Sequence, residues 1–216
     1  MQSLDSIEYK GHFINIFPDE DAPNPREEFD SLGTMVCFHR RYNLGDRHEF
    51  HAPDEFAAFL KEEKPICLPL YLFDHSGITI STRSERFRAC DPQGWDWGML
   101  GYIYVTKENV RTEYGVKRVT RKILDKVAKL LLAEVEEYDH YLTGNVYGYE
   151  ITKGERQAGE VIDSCWGFLG YPEDYVIPEA KAVIDQILRE AAWLMMAKPS
   201  VFTAPFAAGG TGCAHG

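Results

Sequence analysis

The chain has no run of 18 apolar residues, no Cys-x-x-Cys pair and none of the glycine-rich strings that cradle phosphates. The first absence excludes a membrane-spanning helix, which needs about 20 predominantly apolar residues in succession. Met1 to Glu8 lacks a basic region followed by an apolar one, so no export signal is expected there. The five cysteines, Cys37, Cys67, Cys90, Cys165 and Cys213, are widely separated and odd in number. That pattern argues against a disulfide framework and for a reducing compartment, the cytoplasm of a cell. Cys37, Cys67 and Cys165 sit among β-branched or aromatic residues and read as small buried hydrophobes. G-x-x-x-x-G-K-[ST], G-x-G-x-x-G after a strand, G-x-S-x-G and H-E-x-x-H are all missing, which excludes nucleotide binding by a standard motif. Gly209 to Gly212 precede no helix whose N-terminus could hold a phosphate. No cofactor is expected.

Positive charge is also scarce, with 23 Lys and Arg against 34 Asp and Glu. The imbalance is uneven. Residues 1–63 hold 14 acids and 6 bases, residues 64–118 hold 6 acids and 8 bases, and the remainder holds 14 acids and 9 bases. Phosphate-backbone binding needs a basic stripe, so direct binding of nucleic acid is not expected. Such a surface repels DNA and attracts basic protein surfaces, including the DNA-binding channels of other proteins.

What is abundant is core-forming material. The 216 residues are 44% hydrophobic and include 12 Tyr, 12 Phe and 4 Trp, enough for one domain over residues 1–198 with a flexible tail over 199–216. Ile7–Phe17 reads as an opening strand or hairpin. Pro18, Pro23 and Pro25 break the acidic stretch that follows into a surface loop. Strand character returns at Gly33–His39, Ile66–Phe73, Ile78–Thr82 and Met99–Val105, with Pro69 marking an edge or an irregular start. Residues 83–94 read as a loop of mixed charge. Pro53 opens a short helix ending at Glu63. Ile123, Val127, Leu131, Val135 and Tyr138 recur at helical spacing over 119–142, and Gly144 supplies the stop. Asn145–Thr152 and Glu160–Leu169 read as another hairpin, before a last helix from Pro178 to about Met195. Strands arriving as hairpins rather than βαβ units predict an α+β fold, a mainly antiparallel sheet with helices packed on one face.

Four constellations could carry chemistry. Asp74-His75-Ser76-Gly77 joins a base, a carboxylate and a hydroxyl, but contiguous residues rarely converge as a triad does; turn chemistry is the competing reading. His39, Asp46, His48 and His51 have the one metal-like spacing, against which stands a set of solvated loop histidines. Asp19, Glu20 and Asp21 look like half a calcium loop without its central glycine, and fit better as a partner-facing acidic loop together with Glu27 and Glu28. Trp95, Asp96 and Trp97 offer either core filling or an interaction platform, for which tryptophan is well suited.

The runs Leu32-Gly33-Thr34-Met35-Val36-Cys37-Phe38-His39-Arg40-Arg41-Tyr42-Asn43-Leu44-Gly45-Asp46, Leu68-Pro69-Leu70-Tyr71-Leu72-Phe73-Asp74-His75-Ser76-Gly77 and Asp163-Ser164-Cys165-Trp166-Gly167-Phe168 resemble those of a family of uncharacterised bacteriophage and mobile-element proteins. The resemblance covers residues 7 to 185. Cys90-Asp91-Pro92-Gln93-Gly94-Trp95-Asp96-Trp97-Gly98 departs from the family's shorter Cys-Pro-Trp-Asp-Ser-Gly stretch. The resemblance implies a setting rather than an activity: acidic accessory proteins of mobile elements often antagonise host defence, as DNA mimics or as binders of restriction or CRISPR effectors.

Three functions follow as expectations. The first is a noncatalytic protein in the bacterial cytoplasm that binds a basic surface of a host nuclease complex through Asp19, Glu20, Asp21, Glu27, Glu28 and the Trp95-Asp96-Trp97 segment. The second is a small hydrolase or metal-dependent enzyme centred on Asp74 and His75, with Cys90 and His39 or Asp46 nearby. The third is self-assembly through the apolar segments Trp193–Met196 and Val201–Phe206.

Overall fold

The computed structural model describes residues 3–196. The expected tail beyond 198 and the segment Val201–Phe206 lie outside the described residues. The fold is α+β, with six helices and two antiparallel four-stranded sheets among the described residues.

The first sheet joins the two ends of the described chain. Its order is β1 (Asp5–Tyr9), β2 (His12–Pro18), β7 (Val146–Lys153), β8 (Glu160–Leu169). β1 and β2 form a hairpin whose two turn residues, Lys10 (φ 50°) and Gly11 (φ 76°), take the positive φ angles that match the twist of the flanking strands. Ile14 and Ile16 of β2 alternate toward the same face as Tyr149 and Ile151 of β7. There they are covered by Val176, Ala180 and Ile184, one residue per turn of α6 (Val176–Met196).

The second sheet has the order β3 (Thr34–Cys37), β6 (Trp97–Val105), β4 (Ile66–Asp74), β5 (Ile78–Ser81). α5 (Arg121–Leu142) lies across it, burying Val127, Leu131, Val135 and Tyr138 against Leu70, Ile80, Ile103 and Val105. The opposite side of β6 presents Tyr102 and Tyr104 to Phe56 and Phe59 of α2 (Pro53–Glu63), with ring centroids 5.2–5.8 Å apart. α5 also touches β8 and therefore braces both sheets.

Pro69 sits inside a strand that has neighbours on both sides, which a proline normally forbids. The register resolves the conflict. β5 pairs only with Tyr71–Asp74, so at Pro69 the strand is locally an edge, and a bulge follows between Leu70 and Tyr71. Two local expectations, for residues 83–94 and for Cys165, are corrected. Residues 83–94 are not wholly loop: α3 (Ser84–Cys90) forms there because Phe87 buries itself by stacking on Phe73, centroids 5.6 Å apart. α4 (Lys107–Glu113) forms after Thr106, whose hydroxyl accepts the Asn109 N–H, and buries Val110. Cys165 is exposed, because it lies on β8, an edge strand with little cover.

Candidate functional site

The acidic segment after β2 is held in place from beneath. Asn24 caps α1 (Pro25–Glu28) by accepting the Arg26 N–H, and Pro25 occupies the first helical position. Arg26 then turns inward, with only 3% of its side chain exposed. Its Nε and Nη2 donate to the two Asp46 oxygens at 2.8 and 2.6 Å, Nη2 also donates to the Gly33 carbonyl at 2.6 Å, and Nη1 reaches Glu134 at 3.1 Å. The same carboxylates accept backbone N–H groups of Leu32, Gly33 and Met35. With their lone pairs occupied, the two carboxylates tolerate their partial burial. The consequence is positional: Glu27, Glu28, Phe29 and Asp30 are tied to α5 and β3.

This network removes the proposed metal set. Asp46 is committed to Arg26. His39 stacks on Tyr42 with centroids 4.9 Å apart, and its Nδ1 accepts the Tyr42 N–H at 3.3 Å. His48 lies 3.2 Å through Nε2 from the Cys37 carbonyl, and His51 is exposed. Among the described residues no group of three or more His, Cys, Asp and Glu is placed to hold a metal ion. Burial, with Asp46 nearby, pushes the Cys37 thiol up to about 12, so it is protonated and inert at neutral pH.

Asp74 and His75 do not pair with each other. The hairpin turn aims them apart, with Ser76 (φ 58°) and Gly77 (φ 151°) completing it. Asp74 takes the Arg41 guanidinium, whereas His75 Nδ1 is 2.8 Å from Asp96 Oδ2. The carboxylate partner of His75 is thus Asp96, which the contiguous string could not reveal. Asp96 is therefore not a free partner-binding acid. Cys90, exposed at the end of α3, has no hydrogen bond to either residue. His75 is 65% exposed in its side chain and among the described residues no hydroxyl or thiol is bonded to its Nε2, so the contacts form a hydrogen-bonded polar cluster rather than a nucleophile with its base.

A cleft of about 250 Å³ opens beside this cluster, lined by His39, Arg41, Asp74, Trp95, Asp96 and Met99 among others. Its rim is built by Asp91. That carboxylate accepts N–H groups of Gln93, Gly94 and Asp96 at 3.2, 3.1 and 2.8 Å, while Trp97 Nε1 donates to the Asp91 carbonyl at 2.9 Å. Trp97 is anchored and Trp95 is left 84% exposed. The two tryptophans are separate in role, one a brace and one a projecting surface.

No protein-family model, curated protein or solved structure matches the chain. The reading of the site rests on its own geometry.

The backbone N–H groups, that of Asp96 foremost, hold the Asp91 carboxyl below its ordinary value of 3.8. A depressed folded-state pKa contributes order that is fully present above the unfolded value and is lost as pH falls through the folded one. Indole N–H signals of Trp95 and Trp97 in NMR spectra should stay native-like down to pH 3.8 and shift below it. Asp91→Ala should produce the shifted signals already at neutral pH; native-like signals in that variant would remove Asp91 from the account.

The remaining candidates are surface acids. Glu20, Asp21, Glu27 and Glu28 are exposed, and among the described residues none has a Lys, Arg or His partner within 4 Å. Asp19 is half-buried, and its carboxylate accepts the Gly167 N–H at 3.0 Å, which ties the loop to β8. Phe29, Asp30, Glu113, Glu137 and Glu179 escaped notice in the sequence although they border the same region. One signal was available: Phe29 is an isolated aromatic residue inside the acidic string Glu27 to Asp30.

Proposed function

We propose that this chain is a noncatalytic accessory protein of a phage or other mobile element, acting in the bacterial cytoplasm, that binds and inhibits a host nuclease complex of CRISPR or restriction type. The supporting observation is the set of exposed acids, Glu20, Asp21, Glu27 and Glu28, none with a cationic partner within 4 Å among the described residues, on a segment anchored at Asp19 by Gly167 and at Arg26 by Asp46 and Glu134. Acids meant only for solvation need no such anchoring. A negative surface steers toward a positive one, and anchoring its backbone reduces the entropy lost on docking. The resemblance to mobile-element proteins supplies the biological setting. The enzyme reading centred on Asp74 and His75 has less behind it, since each of these residues is engaged by a different partner.

The test is inhibition of DNA cleavage by purified CRISPR and restriction complexes of a natural host. Inhibition is expected to weaken about tenfold or more as NaCl rises from roughly 0.05 to 0.3 M, and to be lost in the triple variant Asp19→Lys, Glu20→Lys, Asp21→Lys. Inhibition indifferent to both changes, or absent against every complex, would sink the proposal. The exposed end of α6, where Trp193, Leu194, Met195 and Met196 are 60–85% exposed, supports self-association as a companion property.

A further inference from the structure

Phe29 follows α1 directly and stands 52% exposed beside Leu130 of α5, itself 39% exposed. Two hollows of about 600 and 670 Å³ share these side chains. One runs toward Glu113 at the end of α4. The other runs past Gly167 to Tyr175, just before α6, which is 58% exposed. Together they line the outer side of α5 as a groove in which Phe29, Leu130, Phe168 and Tyr175 supply apolar surface, most of it in the second hollow.

The rim has one sign. Asp30, Glu113, Glu137 and Glu179 line it, all are exposed, and among the described residues none has a cationic partner within 4 Å. Glu134 at the base is already neutralised by Arg26. Among the described residues no Lys or Arg lines either hollow, and His140 is the single group there that could gain positive charge. Solvent-exposed charge pairs contribute little each, so acids alone discriminate poorly between basic partners. Exposed apolar side chains among these acids, Phe29, Leu130 and Tyr175, supply the missing selectivity.

We infer that this groove receives a basic amphipathic segment of a partner protein, its large apolar side chain seated between Phe29, Leu130 and Tyr175 and its Lys or Arg side chains on the acidic rim. The inference rests on the reading that the acidic surface recognises a basic partner, and assigns the recognition to a place. A polyanion or an anionic membrane would be repelled by the rim. The chain's own residues 197–216 carry one base, Lys198, and match the rim poorly. A second copy would bring a further net charge of −11.

Fluorescence anisotropy with a labelled amphipathic helix of about 14 Lys and Leu residues, long enough to hold helical structure on binding, tests this. An oligolysine of equal length is the control. The Lys/Leu peptide should bind at least about tenfold tighter than oligolysine and weaken as salt rises. Phe29→Ala, Leu130→Ser and the pair Glu137→Lys with Glu179→Lys should each reduce its affinity about tenfold, with circular dichroism spectra unchanged. Unaltered affinity in the Phe29 and Leu130 variants, together with loss in the Asp19, Glu20, Asp21 triple, would overturn the groove while leaving the acidic-surface reading in place. No binding of either peptide by the wild-type chain would overturn both. Dimerisation seen by light scattering and abolished by Phe29→Ala would give the groove to a second copy and also overturn the inference.

Discussion

Arg26→Met is expected to destabilise the protein by about 3–5 kcal/mol in urea unfolding, the largest effect of any single substitution considered. The methionine fills most of the space, so little packing is lost. Asp46 and Glu134, with side chains 18% and 7% exposed, then face each other's vicinity without a counter-charge, and the Gly33 carbonyl loses its donor. An uncompensated buried charge costs far more than the intact pair contributed, which is why removing one member is worse than never having had the network. Arg26→Lys keeps the charge but not the planar fork that reaches Asp46 through two nitrogens and Glu134 through a third. Its loss should lie between wild type and Arg26→Met. A loss below about 1 kcal/mol for Arg26→Met would show that water reaches the carboxylates and that the network is a surface ion pair.

The second large effect is expected at Leu131, and its neighbour provides the contrast. Leu131 is fully buried against the second sheet, and its side chain fills the space where a side chain at Gly33 would otherwise stand. Leu131→Ala should cost about 2–5 kcal/mol, the sum of lost burial and the cavity left behind. Leu130, one position earlier, points the other way and is 39% exposed. Leu130→Ala should stay within about 0.5 kcal/mol of wild type. The two variants are chemically the same change, so urea midpoints read side by side isolate the effect of position. Similar losses at both would mean that the outer side of α5 is covered in the folded chain, and the groove beside it would close as a candidate.

Much of the fold was legible because it depends on local periodicity. The α5 stripe Val127, Leu131, Val135, Tyr138 and the stop at Gly144 are visible as spacing alone, as is the hairpin of Ile66–Phe73 with Ile78–Thr82. The division of the strands into two sheets was not legible, because pairing β2 with β7 joins residues 129 to 141 positions apart. α3 escaped for a related reason: Ser84–Cys90 has one large apolar residue, Phe87, and the helix is worth forming only because Phe73 is there to receive it. At the site, the importance of Asp96 to His75 was hidden by the attractive contiguity of Asp74 with His75, and Asp46 looked like a ligand until Arg26 claimed it.

Read alone, the chain determined its poverty of positive charge, its lack of phosphate-binding and disulfide motifs, its antiparallel α+β class and the acidic string that precedes β3. These follow from composition and from repeats of two or about four residues, which any local segment displays without help. Only the tertiary structure decided which acids are free and which are consumed. Coulomb attraction depends on distance in space, and an arginine 20 positions from one carboxylate and 108 from the other removed both from the surface. Among the described residues the same folding left Glu20, Asp21, Glu27 and Glu28 without a cationic partner and brought Phe29 and Leu130 to the lining of one hollow, because α5 must cross the sheet with one face buried and its other face is then fixed as the wall of a groove.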